Sequence, residues 1–202
     1  MLTDRDLEIL EWINKYRAIT VEQARYIFFK GSYEPARRRL AILEKDKILK
    51  SYTSKTTKQK VYYLEKKISD HDLYCLDYIK ELIKYNCKIV EVKSKPHYLN
   101  NLIIPDMYVK FKFAGYSFNT LLEVDFTHAT DEKKLNLLYE KLARESSDYK
   151  DFNGRSFILI IAKPIIQTKY AANNYTSIYT DLRFTNLYNL LGLNELQDST
   201  II

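Results

Sequence analysis

The residues of this chain best suited to chemistry are three carboxylates, Asp106, Glu123 and Asp125. Pro105-Asp106 opens a segment in which Met107, Val109, Phe111 and Phe113 alternate with Tyr108, Lys110 and Lys112. Glu123-Val124-Asp125 lies near the end of a second strand-like run, Tyr116 to Phe126. A two-residue turn at Ala114-Gly115 pairs Phe113 with Tyr116 and, further along the hairpin, sets Asp106 opposite Glu123. Opposed residues have Cβ atoms roughly 4.5 to 5.5 Å apart, and Asp125 shares the face of Glu123. Carboxylates so crowded repel one another unless a cation, a lysine or water separates them. Asp106, Glu123 and Asp125 therefore form a candidate acidic edge suited to a cation, a lysine or water. The plain alternative is an acidic sheet edge that meets a basic partner or only water.

A second set is cationic: Arg37, Arg38, Arg39 and Lys45, followed by Lys55, Lys58 and Lys60. The 202-residue chain carries a formal charge of +6, but the excess is unevenly placed. Residues 1 to 67 hold sixteen basic and nine acidic side chains, a net of +7, and the remainder is at −1. An anionic partner is therefore expected to meet the first third.

Other chemistries are excluded by what the composition lacks. Gly31, Gly115, Gly154 and Gly192 stand too far apart to build a phosphate-cradling loop. Cys75 and Cys87 make no disulfide framework. His71, His97 and His128 are scattered rather than clustered, and His71 with Cys75 begins a zinc pattern that Cys87 and His97 do not complete. No serine stands two residues before a glycine after a strand, as a nucleophile elbow needs. The longest apolar run, Phe157 to Ala162, is far short of a bilayer span, and the first residues lack a signal peptide's apolar core. A cytoplasmic protein without membrane contact is expected.

The elements that must position these residues follow from caps and periodicity. Thr3 with Asp6 starts a helix carrying Leu7, Leu10 and Ile13 to about Lys15. Thr20-Val-Glu-Gln23 has the spacing of a capping box for a short second helix with Val21, Ala24, Ile27 and Phe28 on one face. Gly31-Ser32 closes the turn and caps a third helix, on which Ala36, Leu40 and Leu43 face one side. Arg38, Ala41 and Lys45 face the other, flanked by Arg37 and Arg39. Ile48 to Tyr52 and Lys60 to Leu64 read as a hairpin with Lys55 and Lys58 at its tip. Three short helices and a basic hairpin spell a winged helix-turn-helix, whose third helix enters the major groove while the wing touches the backbone. A basic helix that merely faces water is the simpler alternative.

From residue 68 a small α/β domain is expected. Ser69 caps a helix through Leu73, Leu76, Ile79 and Ile83, and a strand runs from Lys88 to Lys93. After the Asp106 to Phe126 hairpin, Thr130 caps a helix with Leu135, Leu138, Tyr139 and Leu142 buried and Lys134 and Lys141 on one flank. Phe157 to Ala162 is a buried strand of a mixed sheet. Beyond Pro164 the chain is expected to pack as a helix or edge strand with loops, and residues 194 to 202 to fray.

Leu2-Thr-Asp-Arg-Asp6, Arg38-Arg-Leu40 with Leu43, His71, Pro105-Asp106, Glu123-Val-Asp125 and Lys141, in that order, resemble the replication-relaxation family of plasmids and integrative elements. The resemblance implies an N-terminal winged helix and a role on plasmid DNA in replication, relaxation or transfer. The second half is also similar to the restriction-endonuclease-like fold, whose motif is Pro-Asp followed by Glu or Asp, any residue, and Lys. Asp106 and Glu123 match that motif, but Asp125 stands where it has Lys. The resemblance implies Mg2+ on these carboxylates and a lysine that helps activate water, for which Lys134 or Lys141 of the following helix is the candidate. Asp106, Glu123, Asp125 and Lys141 thus form a degenerate catalytic and metal-ligand set. The expectation is therefore a double-stranded DNA-binding accessory or regulatory protein of a mobile element rather than an enzyme. Its α/β domain would serve dimerisation or contact with a relaxase or replication protein. The alternatives are a Mg2+-dependent nuclease targeted by the winged helix, and a transcription repressor.

Overall fold

The computed structural model describes residues 2–126, 132–165 and 172–198, and the chain divides into two compact units, Met1–Lys84 and Tyr85–Ile202. It is an α+β protein with one sheet in each unit.

In the first unit, α1 (Asp4–Tyr16) begins in a reciprocal capping box: the Thr3 amide donates to Asp6 Oδ2 at 2.6 Å and the Asp6 amide to Thr3 Oγ1 at 3.4 Å. Arg17, at φ 74°, ends the helix in the left-handed conformation and returns its N–H to the Ile13 carbonyl. Three buried residues then form β1 (Ala18–Thr20), an element too short to show alternation in sequence. Thr20 and Gln23 build the second capping box, at 3.0 and 3.2 Å, over α2 (Val21–Phe28). Gly31, at φ +85°, turns the chain into α3 (Tyr33–Lys45). Ser32 precedes α3 without the expected side-chain cap: its backbone is extended, but its hydroxyl makes no hydrogen bond to the first turn. The strands β2 (Lys50–Thr53) and β3 (Lys60–Tyr63) complete an antiparallel sheet of order β1-β3-β2, with Ala18 and Lys50 both opposite Tyr63. Ile9, Ile13, Ile19, Ala24, Leu40, Leu43, Leu49 and Tyr62 form its core. Leu40 and Leu43 are fully enclosed, so truncating either to Ala costs about 2–5 kcal/mol.

The helix α4 (Asp70–Lys84) groups with this unit, so the division lies after Lys84 rather than at residue 68. Long-range bonds explain its allegiance. Gln23 Nε2 donates to Asp77 Oδ1 at 3.1 Å, the Tyr52 hydroxyl to the Ile68 carbonyl at 2.8 Å, and Ser54 Oγ to Asp70 Oδ1 at 2.6 Å. Ser69 Oγ accepts the Asp72 amide at 3.0 Å, as a capping residue should.

The second unit is built on a five-stranded mixed sheet of order β4-β5-β6-β7-β8. The strands are β4 (Lys88–Ser94), β5 (Met107–Phe113), β6 (Tyr116–Val124), β7 (Ile158–Ala162) and β8 (Thr176–Thr180). The first three pair antiparallel, and β6, β7 and β8 run parallel. The β5–β6 turn holds Ala114 at φ 47° and Gly115 at φ 82°, the paired left-handed residues of a two-residue hairpin, and Phe113 faces Tyr116. Helix α5 (Glu132–Arg144) makes the crossover between β6 and β7 that parallel pairing requires. Its Tyr139 and Leu142 pack with Tyr98, Tyr108, Leu121, Phe152, Phe157, Leu159 and Ile161.

So many tyrosines can be buried because their hydroxyls find partners. Tyr108 donates to the Asp151 carbonyl at 2.6 Å, Tyr98 to Asp151 Oδ2 at 2.8 Å and Tyr175 to Asn136 Oδ1 at 2.7 Å. Beyond β8 the chain forms α6 (Leu187–Leu190) and α7 (Leu193–Asp198), so residues 194 to 198 are helical rather than frayed. Residues 199–202, Thr130, His128 and the side chain of Lys134 lie outside the described residues. Among the described residues, no helix is long and apolar enough to cross a membrane.

Candidate functional site

The outer face of α3 is cationic because its inner face is fully occupied. Ala36, Leu40 and Leu43 are buried, which turns Arg38, Ala41 and Lys45 outward. Arg38 is 74% exposed and Arg37 52%. The small Ala41 between Arg38 and Lys45 leaves the helix backbone approachable from that side. One acid shares the face. Glu34 holds Arg37 Nη2 at 2.9 Å and lies 3.9 Å from Arg38 Nε.

The third arginine of the run has a different task. Arg39 Nε and Nη2 form a fork on the two carboxylate oxygens of Asp6, which is completely buried. The hydrogen bond from Arg39 outweighs the opposing effect of burial and, with bonds from Thr3, brings the Asp6 carboxyl down to about 2. Arg39 therefore fastens α3 to α1. The signal was present in the spacing: Asp6, Ile9 and Ile13 recur on one face of α1, so the acid had to be buried and paired.

The hairpin between β2 and β3 is a folded structure. The Ser54 amide donates to the Gln59 carbonyl at 2.9 Å, the Lys58 amide to the Ser54 carbonyl at 3.1 Å, and the Thr57 amide to Ser54 Oγ at 3.0 Å. Buried Ser54 is in turn held by Asp70. Burial raises that carboxyl, but hydrogen bonds from Ser54 and Thr56 lower it further, and it ends below its ordinary value. Lys55 and Lys58 are thereby presented, exposed, at the tip. Lys60 is partly spent elsewhere: its ammonium bonds Glu44 Oε2 at 2.5 Å and ties the hairpin to α3.

A further cation absent from the expected set is Arg5 of α1. Its guanidinium lies 4.8 Å from the centre of the Phe29 ring and, with Arg38, Pro35 and Ile42, lines an open recess of about 260 Å³ beside α3. The cationic face of α3 thus continues onto α1.

In the second unit, Asp106 and Glu123 lie just past the last paired residues of the β5–β6 hairpin. Met107 faces Leu122, and Asp106 and Glu123 follow on the two strands. Asp106 Oδ2 accepts the Val124 N–H at 2.8 Å. Glu123 Oε1 accepts the hydroxyl of fully buried Tyr139, whose own ionisation is pushed far up by burial and by the Glu123 and Asp106 charges. Val124 pairs with Ala162 across the parallel strands, so the next residues, Asp125 and Lys163, become neighbours. Lys163 Nζ lies 3.8 Å from Asp125 Oδ2, and both are nearly buried. A lysine therefore does reach the acidic edge, from the end of β7. Lys141 is exposed, with its ammonium 3.9 Å from Glu145 on its own helix.

Cys87 is buried, and burial alone pushes its thiol up to about 12, which removes thiolate chemistry. His97 is exposed and shares a 2.7 Å hydrogen bond with Asn101. Comparison with known protein families, curated proteins and solved structures returned no match for this chain.

Proposed function

We propose that the first unit is a winged helix-turn-helix that binds double-stranded DNA, with α3 in the major groove and the β2–β3 hairpin as its wing. One observation carries this reading: the exposed cations Arg38, Lys45, Lys55 and Lys58 lie on the helix and hairpin that this topology turns toward DNA. The element order, three helices with a small antiparallel sheet, supports it further. The motif resemblance extends the proposal to an accessory or regulatory protein of a plasmid or other mobile element, acting at an origin or operator. The second unit, with its five-stranded mixed sheet taken in this reading as restriction-endonuclease-like, then serves dimerisation or a relaxase or replication partner. The test is a gel shift with duplex from upstream of the protein's own gene at low salt. Arg38→Ala combined with Lys45→Ala should weaken binding at least tenfold and flatten its salt dependence. Unchanged affinity would remove the proposal.

A second reading is a Mg2+-dependent nuclease, and Lys163 favours it. Lys163, on the neighbouring strand and 3.8 Å from Asp125, would stand in for the lysine that position 125 lacks. Asp106 and Glu123 would hold the ion, which would supply Lewis-acid activation of water. Incubation with supercoiled plasmid and Mg2+ or Mn2+ decides it: nicking that is lost in Asp106→Ala and Glu123→Ala would make the protein an enzyme.

A further inference from the structure

Resting on the reading of α3 as the DNA-reading helix, we infer that Glu34 is a specificity residue that selects a cytosine in the bound site, next to guanines taken by Arg37 and Arg38. Glu34 stands in the first turn of α3, the end that reaches base edges in helix-turn-helix proteins. Its side chain is 53% exposed, and it is the only acid among the exposed residues of α3. Near phosphates, an exposed carboxylate lowers affinity for every sequence alike. That loss is recovered only where a hydrogen-bond donor faces it, and in the major groove the donor that a carboxylate takes is the cytosine N4 amino group.

The neighbouring guanidinia complete the pattern. Arg37 is held by Glu34 through both Nε and Nη2, and Arg38 Nε lies 3.9 Å from the same carboxylate. This holds the Arg37 fork in a restricted geometry with the exposed Arg38 beside it, and a guanidinium fork matches O6 and N7 of guanine. One acid between two arginines thus presents an acceptor flanked by donors, which is the complement of a cytosine beside guanines. Glu34 also acts against wrong sites, since a base offering only acceptors at that position meets an uncompensated negative charge.

The test is selection from a random-sequence duplex library with the full chain and with Glu34→Ala and Glu34→Gln, followed by affinities for selected and unselected duplex. Glu34 is exposed, so both variants should fold, and circular dichroism checks this. The expected result is a cytosine at one position of the wild-type site. Glu34→Ala should lose about tenfold or more of discrimination there while binding unselected duplex more tightly. Glu34→Gln should move that position toward adenine, which pairs with an amide. The inference is overturned if the cytosine preference survives both variants. It is equally overturned if only the guanine positions loosen, since Glu34 would then merely hold the arginines. If the wild-type chain retains no duplex at all, the reading of α3 itself fails, a result distinct from both.

Discussion

Arg39 of α3 grips Asp6 of α1 with both arms of its guanidinium, so one of three consecutive arginines is a fastener while its neighbours face outward. Because Asp6 is fully buried, removing the cation leaves an uncompensated charge in the core. Arg39→Ala should therefore destabilise the first unit by ~3 kcal/mol. Arg38→Ala, at a site 74% exposed, should leave stability within about 0.5 kcal/mol. Thermal denaturation and duplex titration of the two variants should give opposite rankings: Arg39→Ala loses stability, whereas Arg38→Ala loses DNA affinity.

The same pair sets an acid limit. The Asp6 carboxyl titrates at about 2 when folded, below the ~3.9 of an unfolded chain, so the folded state holds its proton less tightly. Its stabilising contribution, about 2.5 kcal/mol, is fully present above about pH 5 and is lost as pH falls through about 4 to below about 2. Urea denaturation across that range should show the loss in the wild type, and Asp6→Asn should abolish this part of the slope while lowering stability at neutral pH.

The turn of the β5–β6 hairpin offers a stabilising change. Ala114 is held at φ 47°, where a Cβ is unfavourable, and Gly115 follows at φ 82°. Asparagine tolerates the left-handed region, and Asn-Gly is the preferred pair for this turn. Ala114→Asn should raise stability by about 0.5–1 kcal/mol. Gly115→Ala should lower it by about 1 kcal/mol through backbone strain alone, since a Cβ there meets nothing within 4 Å. Chemical denaturation midpoints check both.

What the sequence makes legible here is local chemistry. The two capping boxes at Thr3 and Thr20 and the two-residue turn at Ala114-Gly115 are short-range patterns, and each appears where its residues require it. The hairpin register from Phe113–Tyr116 to Met107–Leu122 was legible for the same reason, because period-two pairing propagates from the turn. Three features depend on contacts distant in sequence and were not readable. The strand β1 has only three residues, and its identity comes from pairing with β3. The helix α4 owes its place to Gln23, Tyr52 and Ser54, and Lys163 reaches Asp125 only because β6 and β7 run parallel in one register. Arg39 is an intermediate case. The buried position of Asp6 could be read from its spacing with Ile9 and Ile13, but its cation had to be found among three candidates.

Lys163 gives the last prediction, in the second unit. Its ammonium is the cation beside Asp125 at an edge that also carries Asp106 and Glu123, and it lies 5.7 Å from the Tyr179 ring centre. Lys163→Met preserves the aliphatic volume and removes the charge, so the cost is that of leaving the Asp125 carboxylate nearly buried without this cation, about 2 kcal/mol. Asp125→Asn removes one of the three acids and should cost less. If the two residues act as a pair, the double variant should be more stable than Lys163→Met alone, with a coupling energy of about 1 kcal/mol in the double-mutant cycle. A strictly additive cycle would mean that the 3.8 Å approach carries no net attraction, and that Lys163 is held there by β7 and the Tyr179 ring instead.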